Sequence, residues 1–218
     1  MEYVIKYDQI CKDPPRVLYG GTYIEPLASI GMAHFFYPVS DKFKDGISVL
    51  DYGCGAGILS NYLSGQLKDF TYIGLEPNTE HGKERINLAK RYFNDPRCSF
   101  GIIDSDLDNA LTKRLDVIVL ISIFTHMIED DVSSVLKNLI KVFDHNPHCS
   151  IVFSCFIGEE PRTVNYKPDI WERFYGESYI TMNFLEKFCS DNGLSLTKSG
   201  VFVAQGNYNH QIIKVTKS

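Results

Sequence analysis

A glycine-rich turn between an apolar run and an amphipathic stretch constrains the fold of this chain most. The segment VLDYGCGAG at residues 49–57 runs from apolar residues into three glycines, and the helical pattern ILSNYLSGQL follows directly. In an open α/β sheet, a strand, a glycine turn and a helix in this order mark the place where a nucleotide-like ligand crosses the carboxyl ends of the strands. Glycine suits the turn because a side chain would hold the ligand away from the backbone.

The chain after Ser48 alternates short apolar runs with amphipathic stretches, which is typical of a parallel sheet flanked by helices. Strands are predicted for ISVLDY, FTYIGLE, CSFGII, LDVIVLIS and CSIVFSCFI, in that order. The two final runs, LSLTKSGVFVAQG and HQIIKVTK, lie too close together for a helical crossover, so they should pair antiparallel. The pattern predicts an α/β fold, namely a Rossmann-like, doubly wound and mostly parallel seven-stranded sheet with an antiparallel last strand.

The length of 218 residues fits a single domain. Residues 1–47 mix Pro, Gly and aromatic residues and are predicted to form a short N-terminal helical cap, and residues 48–218 the core. Residues 158–178 break the alternation and are predicted as a substrate-side insertion. Aromatic side chains in a loop can wall a substrate pocket or pack the loop onto the sheet. Those in or beside this insertion are Tyr166, Trp171, Phe174, Tyr175 and Tyr179.

Composition and charge limit the cellular locations and binding partners that can be expected for this chain. The net charge of -5 does not favour nucleic acid or an anionic membrane as a partner. The apolar runs are too short to cross a bilayer and the N-terminus does not resemble a signal peptide, so a cytoplasmic location is expected. His145, His148 and Cys149 lie together, but a structural zinc site requires four ligands, so no metal is expected. The oligomeric state is not predicted.

Two features separate the glycine turn from a dinucleotide-binding site. The dinucleotide fingerprint needs a third glycine where this chain has Ile58. Asp51 also places a carboxylate at the tip of the strand, where it would repel a pyrophosphate and attract an ammonium group. A nicotinamide-dependent oxidoreductase is therefore disfavoured.

The segment VLDYGCGAG resembles the first motif of the class I S-adenosylmethionine-dependent methyltransferases. The resemblance implies an enzyme with S-adenosyl-L-methionine as its cofactor. It places the methionyl part of that cofactor against Asp51 and against the loop residues Gly53, Cys54, Gly55 and Gly57.

The resemblance extends to the ends of the following strands. Glu76, with Pro77 after it, corresponds to the acid that accepts both ribose hydroxyls. Asp104, with Ser105 after it, corresponds to the acid that binds the adenine amino group, and Asp106 is its rival. The segment SIFTHM from Ser122 onward resembles the S-x-F-T-H segment of small-molecule and sugar-modifying methyltransferases, whose backbone lies along the adenosine and faces the acceptor. Near the N-terminus, the Gly-Gly turn after Tyr19 either closes over the cofactor as a lid or is a simple turn.

Methyl transfer from a sulfonium needs alignment above all, and a general base only when the acceptor is a hydroxyl or a protonated amine. His126 is the first candidate base, and the alternative is a histidine that binds backbone. Glu159, near the end of the fifth strand, is the second candidate, and the alternative is an exposed loop acid.

The acceptor is predicted to be a small molecule, such as a sugar or a polar metabolite. Methyltransferases that modify amino groups of bases carry an Asn- or Asp-Pro-Pro-aromatic segment after the fourth strand, where this chain has Ser-Ile-Phe. Three alternatives stay open: a cofactor-binding partner subunit without catalysis, a methyltransferase acting on nucleic acid or protein, and the disfavoured oxidoreductase.

Overall fold

The computed structural model of the chain describes residues 39–164, 177–204 and 208–218, together with three short strands before residue 39. The strands are β1 Val4–Lys6, β2 Leu18–Tyr19, β3 Thr22–Tyr23, β4 Ile47–Tyr52, β5 Phe70–Glu76, β6 Cys98–Ile102, β7 Val117–Leu120, β8 Ser150–Gly158, β9 Arg162–Val164, β10 Glu177–Thr181, β11 Leu194–Ala204 and β12 Tyr208–Lys217. The α-helices are α1 Ile58–Gln66, α2 Glu80–Tyr92, α3 Ile103–Leu111, α4 Glu129–Leu139, α5 Val142–His145 and α6 Met182–Asp191, and a 3₁₀ turn spans Phe124–His126.

The main sheet has the strand order β1-β11-β12-β8-β7-β4-β5-β6. Strands β4 to β8 run parallel, whereas β12 lies antiparallel between β8 and β11. The prediction of a mostly parallel Rossmann-like sheet with an antiparallel last strand is therefore confirmed. The sheet has ten described strands rather than the predicted seven, because β1, β9 and β10 join it. The chain leaves β4 toward β5 on one side and returns on the other side at β7. Such a reversal opens a crevice at the carboxyl ends of β4 and β7, where ligands of open α/β sheets bind.

Both faces of the sheet are covered, which explains the unbroken apolar runs in its central strands. Val49 faces the cluster made with α1 and α2, while its neighbour Leu50 faces the cluster made with α3, α4 and α6. Val119 and Leu120 of β7 divide in the same way between the two clusters. Because successive strand side chains point to opposite faces, a strand buried on both sides must be apolar throughout.

The third predicted strand, CSFGII, forms β6 and is shorter than the sequence pattern indicated. It ends at Ile102, and α3, which the pattern did not predict, begins at Ile103. The placement of Asp104 at the strand end is therefore wrong, because Asp104 lies in the first turn of α3. Ile102 and Ile103 continue the apolar strand pattern. The strand nevertheless ends at Ile102, whose N–H donates to the Asp106 carboxylate at 2.7 Å.

The predicted substrate-side insertion is partly ordered into strands. β10 pairs parallel with the end of β8, with Tyr179 opposite Phe156, and β9 pairs antiparallel with β10. The following helix begins at Met182, because Ile180 and Thr181 belong to β10. Four aromatic residues of the insertion lie outside the described residues: Tyr166, Trp171, Phe174 and Tyr175.

The described residues before position 39 are strands. β1 pairs parallel with β11 and widens the sheet, and β2 pairs with β3. The helical part of the predicted cap lies outside the described residues. Within the ranges that the structure describes, the helices are all too short or too polar to cross a membrane.

Candidate functional site

The glycine loop at the tip of β4 is held against the end of β5. The backbone N–H groups of Gly53 and Cys54 both donate to the Leu75 carbonyl, at 2.8 and 3.1 Å. Gly53, Gly55 and Gly57 have φ angles of +81°, +58° and +86°. Residues with a side chain rarely adopt such angles, so the turn requires glycine at these positions for its own shape. This requirement exists before any ligand is considered.

Packing adds a second reason for glycine at the first of these positions. A Cβ atom on Gly53 would overlap the side chain of Ile123, which follows β7. A Cβ atom on Gly57 would lie 2.9 Å from the ring of Phe93 and 3.0 Å from the ring of Phe100. The loop is therefore pressed between the ends of neighbouring strands.

We expect Gly53→Val to destabilise the protein by about 2–4 kcal/mol, the sum of left-handed backbone strain and overpacking against Ile123. Urea unfolding followed by circular dichroism measures the change. Gly65→Ala is the control: Gly65 lies in α1, a Cβ atom there has open space, and a gain of up to about 1 kcal/mol is expected. Equal stability of Gly53→Val and the parent would show that the loop tolerates side chains.

Asp51 is the second-last residue of β4 and carries a buried carboxyl, with 3 % of its surface exposed. Burial raises its pKa to about 7, and the negative charge of Glu76 acts in the same direction. The Tyr72 hydroxyl opposes these effects by donating to Asp51 Oδ2 at 2.7 Å. A carboxyl in this condition gains from a cation placed beside it, because the cation replaces the lost solvation of the carboxylate.

Glu76 ends β5 and is equally buried, at 3 % exposure. Its Oε1 accepts the N–H of Gly55 at 2.6 Å, so it links the glycine loop to β5. Its Oε2 lies 3.5 Å from Nη1 of Arg85 on α2. Pro77, the next residue, is exposed at the same edge. Two buried carboxyls, Asp51 and Glu76, thus flank the glycine loop at the carboxyl edge of the sheet.

The acids after β6 have different surroundings. Asp106 is engaged, since its Oδ2 accepts the Ile102 N–H and the Ser105 hydroxyl, at 2.7 and 3.1 Å. Asp104 is exposed in the first turn of α3 and faces Tyr52. The pKa of the Tyr52 hydroxyl is raised, first by burial and then by the charge of Asp104. Asp104 therefore has a carboxylate available for a ligand at this edge, whereas Asp106 serves the backbone.

The turn after β7 holds a strained residue. Ser122 has a φ of +57°, and it is the only residue other than glycine with a positive φ in the described ranges. Its N–H donates to Ser154 Oγ and its carbonyl accepts the Thr125 hydroxyl, both at 2.9 Å. Such conformations persist only where the surroundings hold them, and they cluster at functional sites. Because the 3₁₀ turn of Phe124–His126 follows directly, His126 comes to the same edge as the glycine loop.

The far side of this edge is organised by residues that the sequence did not single out. Glu129 Oε1 accepts both the backbone N–H and the hydroxyl of Thr181, each at 2.8 Å. Thr181 also caps α6 by accepting the N–H of Phe184. The contact ties the start of α4 to β10. The Thr-Met-Asn-Phe segment could have indicated that Thr181 caps a helix. Its partner acid, Glu129, is 52 residues away, and no local pattern in the sequence pointed to it.

Tyr179 of β10 completes this side of the site. Its ring stacks on Phe156 with a centroid distance of 5.2 Å, and the guanidinium of Arg162 lies 4.4 Å from its centroid. Glu159 is exposed in the bend after β8. Tyr19 lies in β2, and its side chain is outside the described part.

His148 and Cys149 lie at the opposite, amino edge of the sheet. Lys42 Nζ donates there to the His148 carbonyl and to Ser150 Oγ, which ties the chain before β4 to the start of β8. Burial raises the pKa of the Cys149 thiol to about 12. Among the residues that the structure describes, no three His, Cys, Asp or Glu side chains are grouped to hold a metal ion.

Comparison with known proteins identifies the family. Residues 30–158, more than half of the chain, match the model of a methyltransferase domain family. The chain belongs to this family. The prediction of a class I S-adenosylmethionine-dependent methyltransferase is thereby confirmed, and the cofactor that goes with it is S-adenosyl-L-methionine.

A curated relative is the putative methyltransferase 235L of Invertebrate iridescent virus 6, 31% identical over 91 residues. The match covers 39% of this chain and 32% of that protein, so it extends over about a third of the relative's length.

Two solved structures share the fold of this chain. One is the magnesium protoporphyrin IX methyltransferase ChlM from Synechocystis PCC 6803 with bound SAH, with a TM-score of 0.61 and 15% identity over 97% of this chain and 93% of that one. The other is the O-methyltransferase NcsB1 from neocarzinostatin biosynthesis in complex with S-adenosylmethionine and 2-hydroxy-5-methyl naphthoic acid. Its TM-score is 0.56 at 14% identity, over 88% of this chain and 56% of that one.

Proposed function

We propose that this chain transfers a methyl group from S-adenosyl-L-methionine, bound along the glycine loop, to a small-molecule acceptor beside the ends of β7 and β8. The observation that carries the proposal is the pair of buried carboxyls, Asp51 and Glu76, on either side of a loop of left-handed glycines. A ligand with a cationic group and a hydroxyl-bearing group matches these two acceptors.

Each residue at this edge would bind a different part of the cofactor. Asp51 would hold the methionyl ammonium, with Gly53, Cys54, Gly55 and Gly57 as the surrounding loop. Glu76 would accept the ribose hydroxyls beside Pro77. In the same scheme Asp104, Ser105 and Ser122 border the adenosine and Tyr19 belongs to the N-terminal lid.

The cofactor supplies an activated methyl group on a sulfonium with a good leaving group, so the protein has mainly to align the acceptor and exclude water. The Glu129–Thr181 contact supports alignment because it fixes β10 against the turn that carries His126. When the acceptor is a hydroxyl, His126 would take its proton as the methyl group is transferred, with Glu159 as the second candidate.

A small-molecule acceptor is supported by the net charge of -5 and by the two solved structures. One is a magnesium protoporphyrin IX methyltransferase and the other is an O-methyltransferase bound to a naphthoic acid. The insertion between β8 and α6 supplies Arg162 and Tyr179 on the acceptor side, where a flat or polar molecule could rest. A cytoplasmic location agrees with this function. Turnover with candidate acceptors separates an enzyme from a cofactor-binding partner subunit, and from a methyltransferase acting on nucleic acid or protein.

A thermal-shift titration with S-adenosylhomocysteine (SAH) and NAD tests the ligand class. We expect SAH to raise the melting temperature in a saturable way and NAD to leave it unchanged. A shift with NAD alone would instead favour the oxidoreductase.

Glu76→Ala is expected to weaken SAH binding by about 1.5–3 kcal/mol, the usual contribution of a hydrogen bond to a charged group. The loss also frees the Gly55 N–H that Glu76 holds, which loosens the loop. Calorimetry measures the dissociation constant. Glu80→Ala, an exposed acid four residues further on, is the matched control and should bind like the parent. Unchanged affinity in Glu76→Ala would move the ribose contact elsewhere.

A further inference from the structure

Arg85 lies beside Glu76, the acid proposed to bind the ribose, but not all of its hydrogen-bond donors have partners there. Its Nη1 is 3.5 Å from Glu76 Oε2, which is long for a hydrogen bond between charged groups. Its Nε is buried and has no hydrogen-bond partner among the described residues. The side chain as a whole is 32% exposed, so the guanidinium reaches inward from the surface of α2.

A buried donor without a partner is costly, and in native structures it calls for an explanation. Within the described ranges, Arg85 Nε is the single buried side-chain nitrogen or oxygen in this state. The guanidinium is therefore placed at Glu76 even though it gains only one long ion pair there.

Glu76 needs a counter-charge in this position. It is 3% exposed, and the second buried carboxyl, Asp51, is close enough for the charge of Glu76 to raise its pKa. Among the described residues, Arg85 is the cation that forms an ion pair with Glu76. Because Oε1 is occupied by the Gly55 N–H at 2.6 Å, the guanidinium acts on Oε2 and so restrains the orientation of the whole carboxylate.

We propose that Arg85 is a positioning residue of the cofactor site: its guanidinium offsets the charge of Glu76 and holds its carboxylate in the orientation that accepts the ribose hydroxyls. This inference rests on the proposed function, because it assumes that the ligand at Glu76 carries a ribose. Arg85 acts through Glu76 and takes no part in the transfer of the methyl group.

The test is a double-mutant cycle on SAH binding, measured by calorimetry with the full chain. Arg85→Met should weaken binding by roughly tenfold, within the range measured for coupled neighbours. Arg85→Lys keeps the charge and should recover much of the affinity. Lys83→Met is the control, because Lys83 is an exposed cation on the same helix, and it should bind like the parent.

The cycle is completed in a Glu76→Gln background. If Arg85 acts through Glu76, adding Arg85→Met to Glu76→Gln should cost less than twofold, because the carboxylate that it positions is gone. A purely structural role would instead weaken binding equally in both backgrounds and would not be rescued by lysine. Either that pattern or full affinity in Arg85→Met overturns the inference while leaving the function in place. Failure of the parent protein to bind SAH overturns the proposed function itself.

Discussion

Asp51→Asn is expected to weaken SAH binding by about a hundredfold at pH 8 and, at the same time, to stabilise the ligand-free protein. The loss of affinity follows from removing one partner of a buried charge pair, which typically costs 2–5 kcal/mol. The gain in stability follows from burial: the Asp51 carboxylate has lost its water, and its pKa is raised to about 7. Asparagine keeps an oxygen for the Tyr72 hydroxyl but cannot become charged.

The sign of the pH dependence can be worked out from this pKa. Asp51 has a higher pKa in the folded protein than the value of 3.8 for an unperturbed side chain, so the folded state holds the proton more tightly. The stability of the parent should therefore fall as the pH rises from about 4 to 7, and level off above 7. The difference of about three units corresponds to roughly 4 kcal/mol at pH 8, and this penalty should be absent in Asp51→Asn.

Urea unfolding at pH 5 and pH 8, with SAH calorimetry at both values, measures the two effects together. Affinity of the parent should improve between pH 5 and pH 8, because the ammonium binds the ionised carboxylate. Asp41→Asn is the control: Asp41 is an exposed acid near the amino edge of the sheet, and its replacement should change neither quantity. A destabilised Asp51→Asn with unchanged SAH affinity would contradict both the burial argument and the assignment of the ammonium site.

His126→Ala is expected to lower turnover by roughly two to four orders of magnitude with a hydroxyl acceptor, the usual contribution of general base catalysis. SAH affinity should hardly change, since the turn that carries His126 lies on the acceptor side of Ser122.

Steady-state kinetics of the parent, His126→Ala and His145→Ala provide the measurement. His145 is exposed at the end of α5, away from the glycine loop, so its replacement should leave the rate unchanged. With a neutral amine acceptor, alignment suffices and His126→Ala should matter little. Full turnover of His126→Ala on a hydroxyl acceptor would remove His126 from the mechanism, and Glu159→Gln would then be the variant to examine.

The sheet and the glycine loop could be predicted because their signals are local. A strand buried on both faces must be apolar at every position, so the run through Val49 and Leu50 identified β4 without knowledge of its neighbours. Gly53, Gly55 and Gly57 were recognised from their spacing, and their positive φ angles explain why no other residue serves there. Adjacent strand ends also meet at one edge of a parallel sheet, which brought Asp51 and Glu76 together in the prediction.

Tertiary structure decided everything that depends on partners distant in sequence. The boundary between β6 and α3 could not be predicted because Ile102 and Ile103 continue the apolar strand pattern. The strand ends where the Ile102 N–H donates to the Asp106 carboxylate. The choice between Asp104 and Asp106 depends on that same bond. The raised pKa of Asp51 depends on burial, which composition cannot report.

The contacts that shape the two halves of the site come from the tertiary structure alone. Glu129 and Thr181 are 52 residues apart, and only the placement of β10 beside β8 brings them together. From the sequence alone, Arg85 is one charge on a solvated helix face. Only the packing of α2 places its guanidinium beside Glu76. The sequence by itself determined the family and the sheet, because short-range patterns encode them. The tertiary structure decided which charges are buried and which side chains hold them, because burial is a property of the folded chain.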